Sequence, residues 1–441
     1  MLLDNWLAQR ALTCPDRLAV CGEGTQLTYL ELEREATSAA RRLAAKGVRR
    51  DALVVIRLRP CVEHVVALHA LMKVGAIAYP VSTQLTEAEL QAELDRTQPA
   101  LVLSGADGAG LTEADLPLLG EHDLDGIHCL IGTSGTSGER RTVELTYGNH
   151  LWSAVGSAFN IGVEPTDRWL CCLPMHHVSG LSIAMRSVIY GTGMVVHDGF
   201  DVDRVGESLE GDGVTIVSVV ATQLVRLLEA GIDLLPLRAV LVGGGPVPVE
   251  VLEEAIGRGA TVVQTYGMTE TASQVTTLAP GDARRKLGSA GRPLLTTHLR
   301  IDGGEILVQG PTVAPGAADE DGWLHTGDLG RIDEDGFLYV EDRIGDLIIS
   351  GGENVVPAEV EAVLLRHPDV ADVGAVGRQD DEWQEAVVAV VVLREGSSPD
   401  PDELRRHCAE HLAPFKVPKR FEFASELPRT AAGKLLRRRL R

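Results

Sequence analysis

Six consecutive residues in the first third of the chain could hold phosphate. Thr133, Ser134, Gly135, Thr136, Ser137 and Gly138 place four hydroxyls and two glycines behind the apolar stretch 127–131. Glycine lets the backbone approach an anion closely, and hydroxyl and N–H groups donate hydrogen bonds to its oxygens. Arg140 and Arg141 add positive charge beside it. The spacing is not that of a GxxxxGK[ST] phosphate loop, and a Ser/Thr/Gly surface turn has the same composition. What gives the loop weight is the series of segments after it. Gly243-Gly244-Gly245-Pro246 follows the apolar run 239–242, where a strand end opens onto a ligand crevice. Tyr266-Gly267-Met268-Thr269-Glu270-Thr271 follows the run 261–265, and Trp323-Leu324-His325-Thr326-Gly327-Asp328 precedes Asp342-Arg343. Each alone reads as a capped turn or a solvated acid; together they read as a nucleotide site.

The elements that must position these segments alternate. Thr28 to Glu31 and Thr86 to Glu89 have the form of capping boxes, and Gly47 and Gly75 stand where helices stop. Strand-like runs at 53–58, 76–81, 169–173, 193–197, 214–220, 239–242 and 261–265 are separated by helical stretches such as 62–74. This predicts an α/β architecture with mainly parallel sheets. After about residue 296 the pattern changes to short strands with turns. From about 342 a compact α+β unit is expected, with helices at 357–366 and 401–412. We therefore expect residues 1–342 to form a large N-terminal domain and 343–441 a small mobile one. A chain of 441 residues exceeds what one core usually organises.

Acidic residues number 63 against 41 Lys and Arg, a net charge of −22, which disfavours nucleic-acid partners. No window approaches the roughly 18 apolar residues of a spanning helix, so no transmembrane segment is expected. The N-terminus lacks a basic start and apolar run, which points to a cytoplasmic protein. The seven cysteines contain no CxxC pair, so spacing suggests neither a disulfide framework nor a zinc site. Six lysines only are present, which singles out Lys286, Lys416 and Lys434. The basic end containing Arg437, Arg438, Arg439 and Arg441 reads as a solvated tail.

The ordered segments, with 350–361 (SGGENVVPAEVE) and Pro428-Arg429-Thr430-Ala431-Ala432-Gly433-Lys434, resemble the adenylate-forming superfamily of acyl-CoA synthetases, luciferases and nonribosomal adenylation domains. Within it, 174–182 (PMHHVSGLS), 267–274 (GMTETASQ) and 286–294 (KLGSAGRPL) resemble the o-succinylbenzoate–CoA ligases of menaquinone biosynthesis. The resemblance implies an AMP-forming acid–thiol ligase. A carboxylate attacks the α-phosphate of ATP, pyrophosphate leaves, and the CoA thiol then displaces AMP. Alternatives are another aryl- or acyl-CoA ligase, a carrier-protein adenylating enzyme, or a non-catalytic nucleotide-binding protein. Implied partners are ATP with Mg2+, CoA and a small aromatic carboxylic acid, and a homo-oligomer is allowed.

The resemblance also implies roles. Residues 133–138 handle the β- and γ-phosphates and Thr269 the α-phosphate. Glu270 holds Mg2+, a hard cation suited to carboxylate oxygen. Asp328 binds the ribose hydroxyls, Arg343 reaches the ribose or phosphate, Gly244, Gly245, Pro246 and Tyr266 form the adenine slot, and Gly267 belongs to the ATP/AMP site. Lys434 is the adenylation lysine and His177 faces the acyl pocket. Gly345 is the hinge, and Gly351, Gly352, Glu353 and Asn354 turn toward the CoA channel. The family usually has Pro-Lys where Arg140-Arg141 stand, and Asp or Lys where Gly345 stands.

The acid itself suggests one more residue. o-Succinylbenzoate keeps a second carboxylate in the pocket, and an unpaired buried charge is costly. Arg186 sits on the largely apolar stretch 179–190, where an arginine is unusual unless paired. It grips the ring carboxylate, with Ser182, Ser273 and Gln274 as hydrogen-bonding neighbours, or it forms a structural ion pair with Asp198 or Asp201.

Overall fold

Short aliphatic and β-branched runs become central parallel strands when both faces are covered. The computed structural model describes residues 1–105, 117–134, 140–350, 353–380, 383–429 and 435–441. Its first sheet has the order Leu101–Leu103, Leu53–Ile56, Ile77–Pro80, β1 (Ile127–Ser134), β2 (Arg140–Thr146). The first four strands pair in parallel, and β1 and β2 form an antiparallel hairpin.

The second sheet runs Thr25–Thr28, Leu18–Gly22, Gly193–Val196, Arg168–Cys171, Ile216–Val219, β3 (Ala239–Val242), β4 (Val262–Met268), β5 (Ser273–Thr277), Arg292–Pro293. Its six inner strands are parallel, and the edges are antiparallel. The period of two sorts side chains between two cores. Trp169, Cys171 and Val196 join one, and Leu170, Cys172 and Val195 join the other. Helices α1 (Tyr147–Ile161) and α2 (Val178–Tyr190) pack together and add Ile161, Leu181 and Met185 to the first core.

An antiparallel sheet follows: His298–Asp302, Glu305–Gln309, β6 (Leu324–Ile332), β7 (Leu338–Arg343). The last sheet runs Glu353–Val355, Ile348–Ser350, Gln384–Leu393, Val370–Asp380, with Arg420–Phe423 parallel to Gln384–Leu393. Residues of α3 (Pro357–Leu365) and of Pro401–His411 share a core with it. The fold is α/β with mainly parallel sheets and a small C-terminal α+β unit, as expected.

Both capping boxes form, and Gly75 ends its helix at φ 76°. The polar side chains of β5 hide its periodicity; His298–Asp302 alternates Leu299 and Ile301 with polar residues, a strand signal the sequence reading passed over. All seven cysteines are free thiols. Lys286 lies between Asp333 (2.7 Å) and Asp335 (2.6 Å), and Lys416 on Glu359 (2.6 Å), so these two are ion-paired. Among the described residues no helix is long and apolar enough to cross a membrane.

Candidate active site

The best-defined part of the site is a carboxylate held by three elements. In the β6–β7 ladder Asp328 stands opposite Arg343. The Asp328 amide donates to Thr326 Oγ1 (3.1 Å), which itself donates to the Ile306 carbonyl (2.7 Å). Arg343 Nε donates to Asp328 Oδ1 (2.7 Å) and the Tyr266 hydroxyl to Oδ2 (2.8 Å). A carboxylate has about four acceptor positions, so lone pairs remain for two further hydroxyl donors. Burial, then the adjacent Asp328 charge, pushes the Tyr266 phenol up, so it stays a donor. Burial opposes the Arg343 charge, but Asp328 outweighs it and the guanidinium is raised.

Beside this carboxylate, β3 and β4 are parallel neighbours; β3 ends at Val242, opposite Gln264, and β4 runs on to Met268. Past β3, Gly244 has φ +83°, and Gly244, Gly245 and Pro246 are exposed. Gly267 is required for a steric reason. The ladder between β4 and β5 shifts register at Tyr266/Gly267, and a Cβ on Gly267 would fall 1.6 Å from the Ser273 carbonyl oxygen.

After β4, Thr269–Thr271 forms one 3-10 turn, followed by Ala272 and Ser273 at φ 50° and 103°. Non-glycine residues there carry strain that surrounding contacts must offset. Those contacts are visible. Thr271 Oγ1 accepts from the Met268 amide (3.1 Å), the Glu270 carbonyl accepts from the Ala314 amide (2.8 Å), and the Ala272 carbonyl accepts from Ser153 Oγ (2.8 Å). The backbone is fixed while the half-buried Thr269 and Glu270 side chains have no hydrogen bond or ion pair among the described residues. A half-buried carboxylate without a partner fits a hard divalent cation. The β1–β2 hairpin runs beside this turn, and β1 and β2 flank the segment 133–138 that the sequence reading assigned to phosphate. Thr133 Oγ1 donates to the Arg141 carbonyl (3.4 Å), and Ser134 ends β1. Gly135, Thr136, Ser137 and Gly138 lie outside the described residues, as do Gly351, Gly352 and Lys434.

On the other side of the turn is α2. His177 is its N-cap, and burial pulls its imidazole down, leaving a neutral ring. Arg186 is 2 % exposed. One of its amines donates to Ser153 Oγ (3.1 Å), its Nε has no partner, and it lies 5.6 Å from the Trp169 ring centroid. The ion-pair alternative fails: Asp198 is taken by Arg204 (2.6 Å) and Arg59 (3.6 Å), and Asp201 caps a helix at the Arg204 amide (3.0 Å). Burial lowers the guanidinium. Through Ser153, Arg186 reaches the Ala272 carbonyl. Ser182 Oγ is 3.5 Å from Ser273 Oγ and donates to the Ser179 carbonyl (3.1 Å). Gln274, 2 % exposed, has no partner on either amide atom. Arg186, Ser182, Ser273 and Gln274 thus gather at the Thr269–Thr271 turn.

Sequence reasoning missed Ser153, which touches motif residues only after folding, and gave Thr326, inside the 323–328 motif, no role of its own. It also misjudged the C-terminus. Arg437 is no solvated tail: it bonds Glu361 (2.7 Å) and lies 3.5 Å from Asp346, while Arg441 donates to the Gly345 carbonyl (3.2 Å). Gly345 lies in the 3-10 turn Ile344–Asp346, directly after Arg343. Glu353 and Asn354 belong to the strand Glu353–Val355, and Glu353 is exposed.

Comparison with known proteins agrees with this geometry. The profile of the AMP-binding enzyme family matches residues 7–317, and that of the AMP-binding enzyme C-terminal domain matches 359–434. A 2-succinylbenzoate–CoA ligase of Geobacillus kaustophilus is 45% identical over 477 aligned positions, covering 100% of this chain and 97% of its own. The o-succinylbenzoate CoA synthetase of Bacillus subtilis, solved with the acyl-adenylate intermediate OSB-AMP, superposes with a TM-score of 0.95 at 39% identity, covering 100% of this chain and 98% of its own. The same enzyme solved with ATP and magnesium ion gives 0.94 at 39% identity, with both chains fully covered. A buried ribose-type clamp, a glycine crevice and a strained turn, matched over nearly the whole length by one enzyme family, place the chain in the AMP-binding enzyme family.

Proposed function

We propose that the chain is an o-succinylbenzoate–CoA ligase of menaquinone biosynthesis, working in the cytoplasm. The succinyl carboxylate attacks the α-phosphorus of ATP and displaces pyrophosphate. The CoA thiol, losing its proton, then attacks the acyl carbonyl and displaces AMP. The observation that carries the acid assignment is Arg186, a buried guanidinium with no acid partner among the described residues, together with the buried Gln274 amide, which has no partner among them either. A pocket that meets only an aliphatic or neutral aryl acid needs neither. A substrate with a second carboxylate supplies what both lack.

The residues divide the work. Tyr266 and Arg343 hold the Asp328 carboxylate in place, and its free lone pairs accept the ribose hydroxyls. Gly244, Gly245, Pro246 and Gly267 leave room for adenine against Tyr266. Residues 133–138 donate to the β- and γ-phosphates and Thr269 to the α-phosphate. Glu270 would ligate Mg2+, which neutralises phosphate charge as the carboxylate approaches. His177 lines the acyl pocket as a neutral ring, and Lys434 steadies carboxylate and α-phosphate in the first step. We place the domain boundary at 342/343. Rotation about Gly345 would then carry Gly351, Gly352, Glu353 and Asn354 toward the CoA channel.

The test is ATP- and CoA-dependent thioester formation across a panel of aryl and aliphatic acids. o-Succinylbenzoate should give the highest kcat/KM. Preference for a monocarboxylic acid would overturn the assignment.

A further inference from the structure

Apart from the nucleotide and acid pockets, the first core contains an unusual polar cluster. His128, Cys129 and His150 are 1 %, 0 % and 2 % exposed. Each offers one ligand atom, and the three atoms lie within 4.8 Å of one another. His128 and Cys129 are neighbours on a strand and should face opposite sides. They converge because β1 is irregular there: Ile127 pairs with Thr146 and Cys129 with Leu145, leaving His128 as an unpaired extra residue. His150 comes from the first turns of α1.

Three observations point to a ligand. Both ring nitrogens of His128 are buried without a partner, and such a group costs about 1–3 kcal/mol. Cys129 Sγ stands 3.5 Å from His150 Nε2. Zn–N near 2.0 Å and Zn–S near 2.3 Å at a tetrahedral angle put the two donors about 3.5 Å apart. Next to the cluster, His122 is also buried with both nitrogens unpartnered. His122 and His128 both pack on the Tyr147 ring, with centroids at 4.4 Å and 5.1 Å.

We propose that His128, Cys129 and His150 form a binding site for a thiophilic d10 cation, Zn2+ or Cu+, separate from the Mg2+ used with ATP. One thiolate and two imidazoles are the donors such ions prefer. Binding replaces the Cys129 S–H proton with a metal–sulfur bond, and the proton leaves to solvent. With Cu+ the three ligands give a neutral centre that needs nothing more. With Zn2+ the centre carries one positive charge and takes a fourth ligand from outside these three residues. This departs from the sequence expectation, because spacing rules seek ligand pairs in register and not a strand irregularity.

The full chain is produced in medium supplemented with zinc or, separately, with copper, and its metal content is measured after purification. We expect about one equivalent of one ion per chain, with an X-ray absorption spectrum containing a single sulfur scatterer. Cys129→Ser should lose that scatterer, and His128→Gln should lower retention at least tenfold while the circular dichroism stays native. Retention of zinc with four coordinating scatterers identifies the four-coordinate site; retention of copper with three identifies the three-coordinate one. If the wild type keeps no more of either ion than folded Cys129→Ser does, the proposal fails. A bound metal whose spectrum lacks sulfur overturns it equally.

Discussion

Replacing Arg186 with methionine separates a recognition role from a structural one, because the two predict opposite signs. In the free protein the guanidinium is 2 % exposed, bonds Ser153 and lies by the Trp169 ring, with no acid partner among the described residues. Exchanging such a charge for an apolar side chain of similar length is neutral or stabilising by about 1–4 kcal/mol. Arg186→Met should therefore melt at the same temperature as wild type or higher. With o-succinylbenzoate bound, the ring carboxylate pairs with the guanidinium, and breaking a buried pair costs about 3–5 kcal/mol. At about 1.4 kcal/mol per tenfold, kcat/KM should fall between a hundred- and a few-thousand-fold. The control acid, 4-oxo-4-phenylbutanoate, lacks the ring carboxylate. Wild type should discriminate against it by a similar factor, and Arg186→Met by tenfold or less. The assay is initial-rate thioester formation with both acids and both proteins, read as a double-mutant cycle. Equal discrimination by the two proteins, or a variant that melts markedly lower, would refute the recognition role.

Three other outcomes are expected. Lys434→Ala should nearly abolish pyrophosphate release yet leave conversion of supplied acyl-adenylate to thioester within about threefold, since the lysine serves the first step; equal loss in both half-reactions would contradict this. Glu270→Gln should raise the Mg2+ concentration for half-maximal adenylation about tenfold or more, because a neutral amide is a poorer ligand for a hard cation; an unchanged Mg2+ dependence removes Glu270 from the metal. His64 is fully buried, and burial pulls its imidazole down to about 4 from 6.5. Its neutral form is favoured in the folded state, so its contribution is complete above pH 6.5 and lost as pH falls toward 4, by about 3 kcal/mol in all. Urea unfolding at pH 7 and pH 4.5 should therefore show a smaller loss for His64→Gln than for wild type.

How far the site could be read in the sequence depended on the range of the interactions. Most parallel strands were legible, because a β-branched run with both faces buried needs only its own composition; Leu18–Gly22 and the short Leu101–Leu103 were passed over. Helix ends were legible for the same reason, since Thr28 and Glu31 meet within one turn. Arg186 was legible as an anomaly, a charge in an apolar helix, but its freedom from Asp198 became visible only once Arg204 and Arg59 were seen to hold that acid. Arg437 was misread because its partner Glu361 lies 76 residues away, and no spacing rule spans that distance. Gly267 shows the limit most sharply. A glycine in a tyrosine-glycine-methionine run suggests an ATP/AMP site, yet the steric demand is set by the Ser273 carbonyl across a shifted ladder. His128 follows the same logic. Regular strand alternation would turn it away from Cys129, and the extra residue in β1 turns it back. In both cases a one-residue irregularity in hydrogen-bond register decides the chemistry. Such irregularities depend on the partner strand as much as on the residue itself, and no local spacing rule contains the partner.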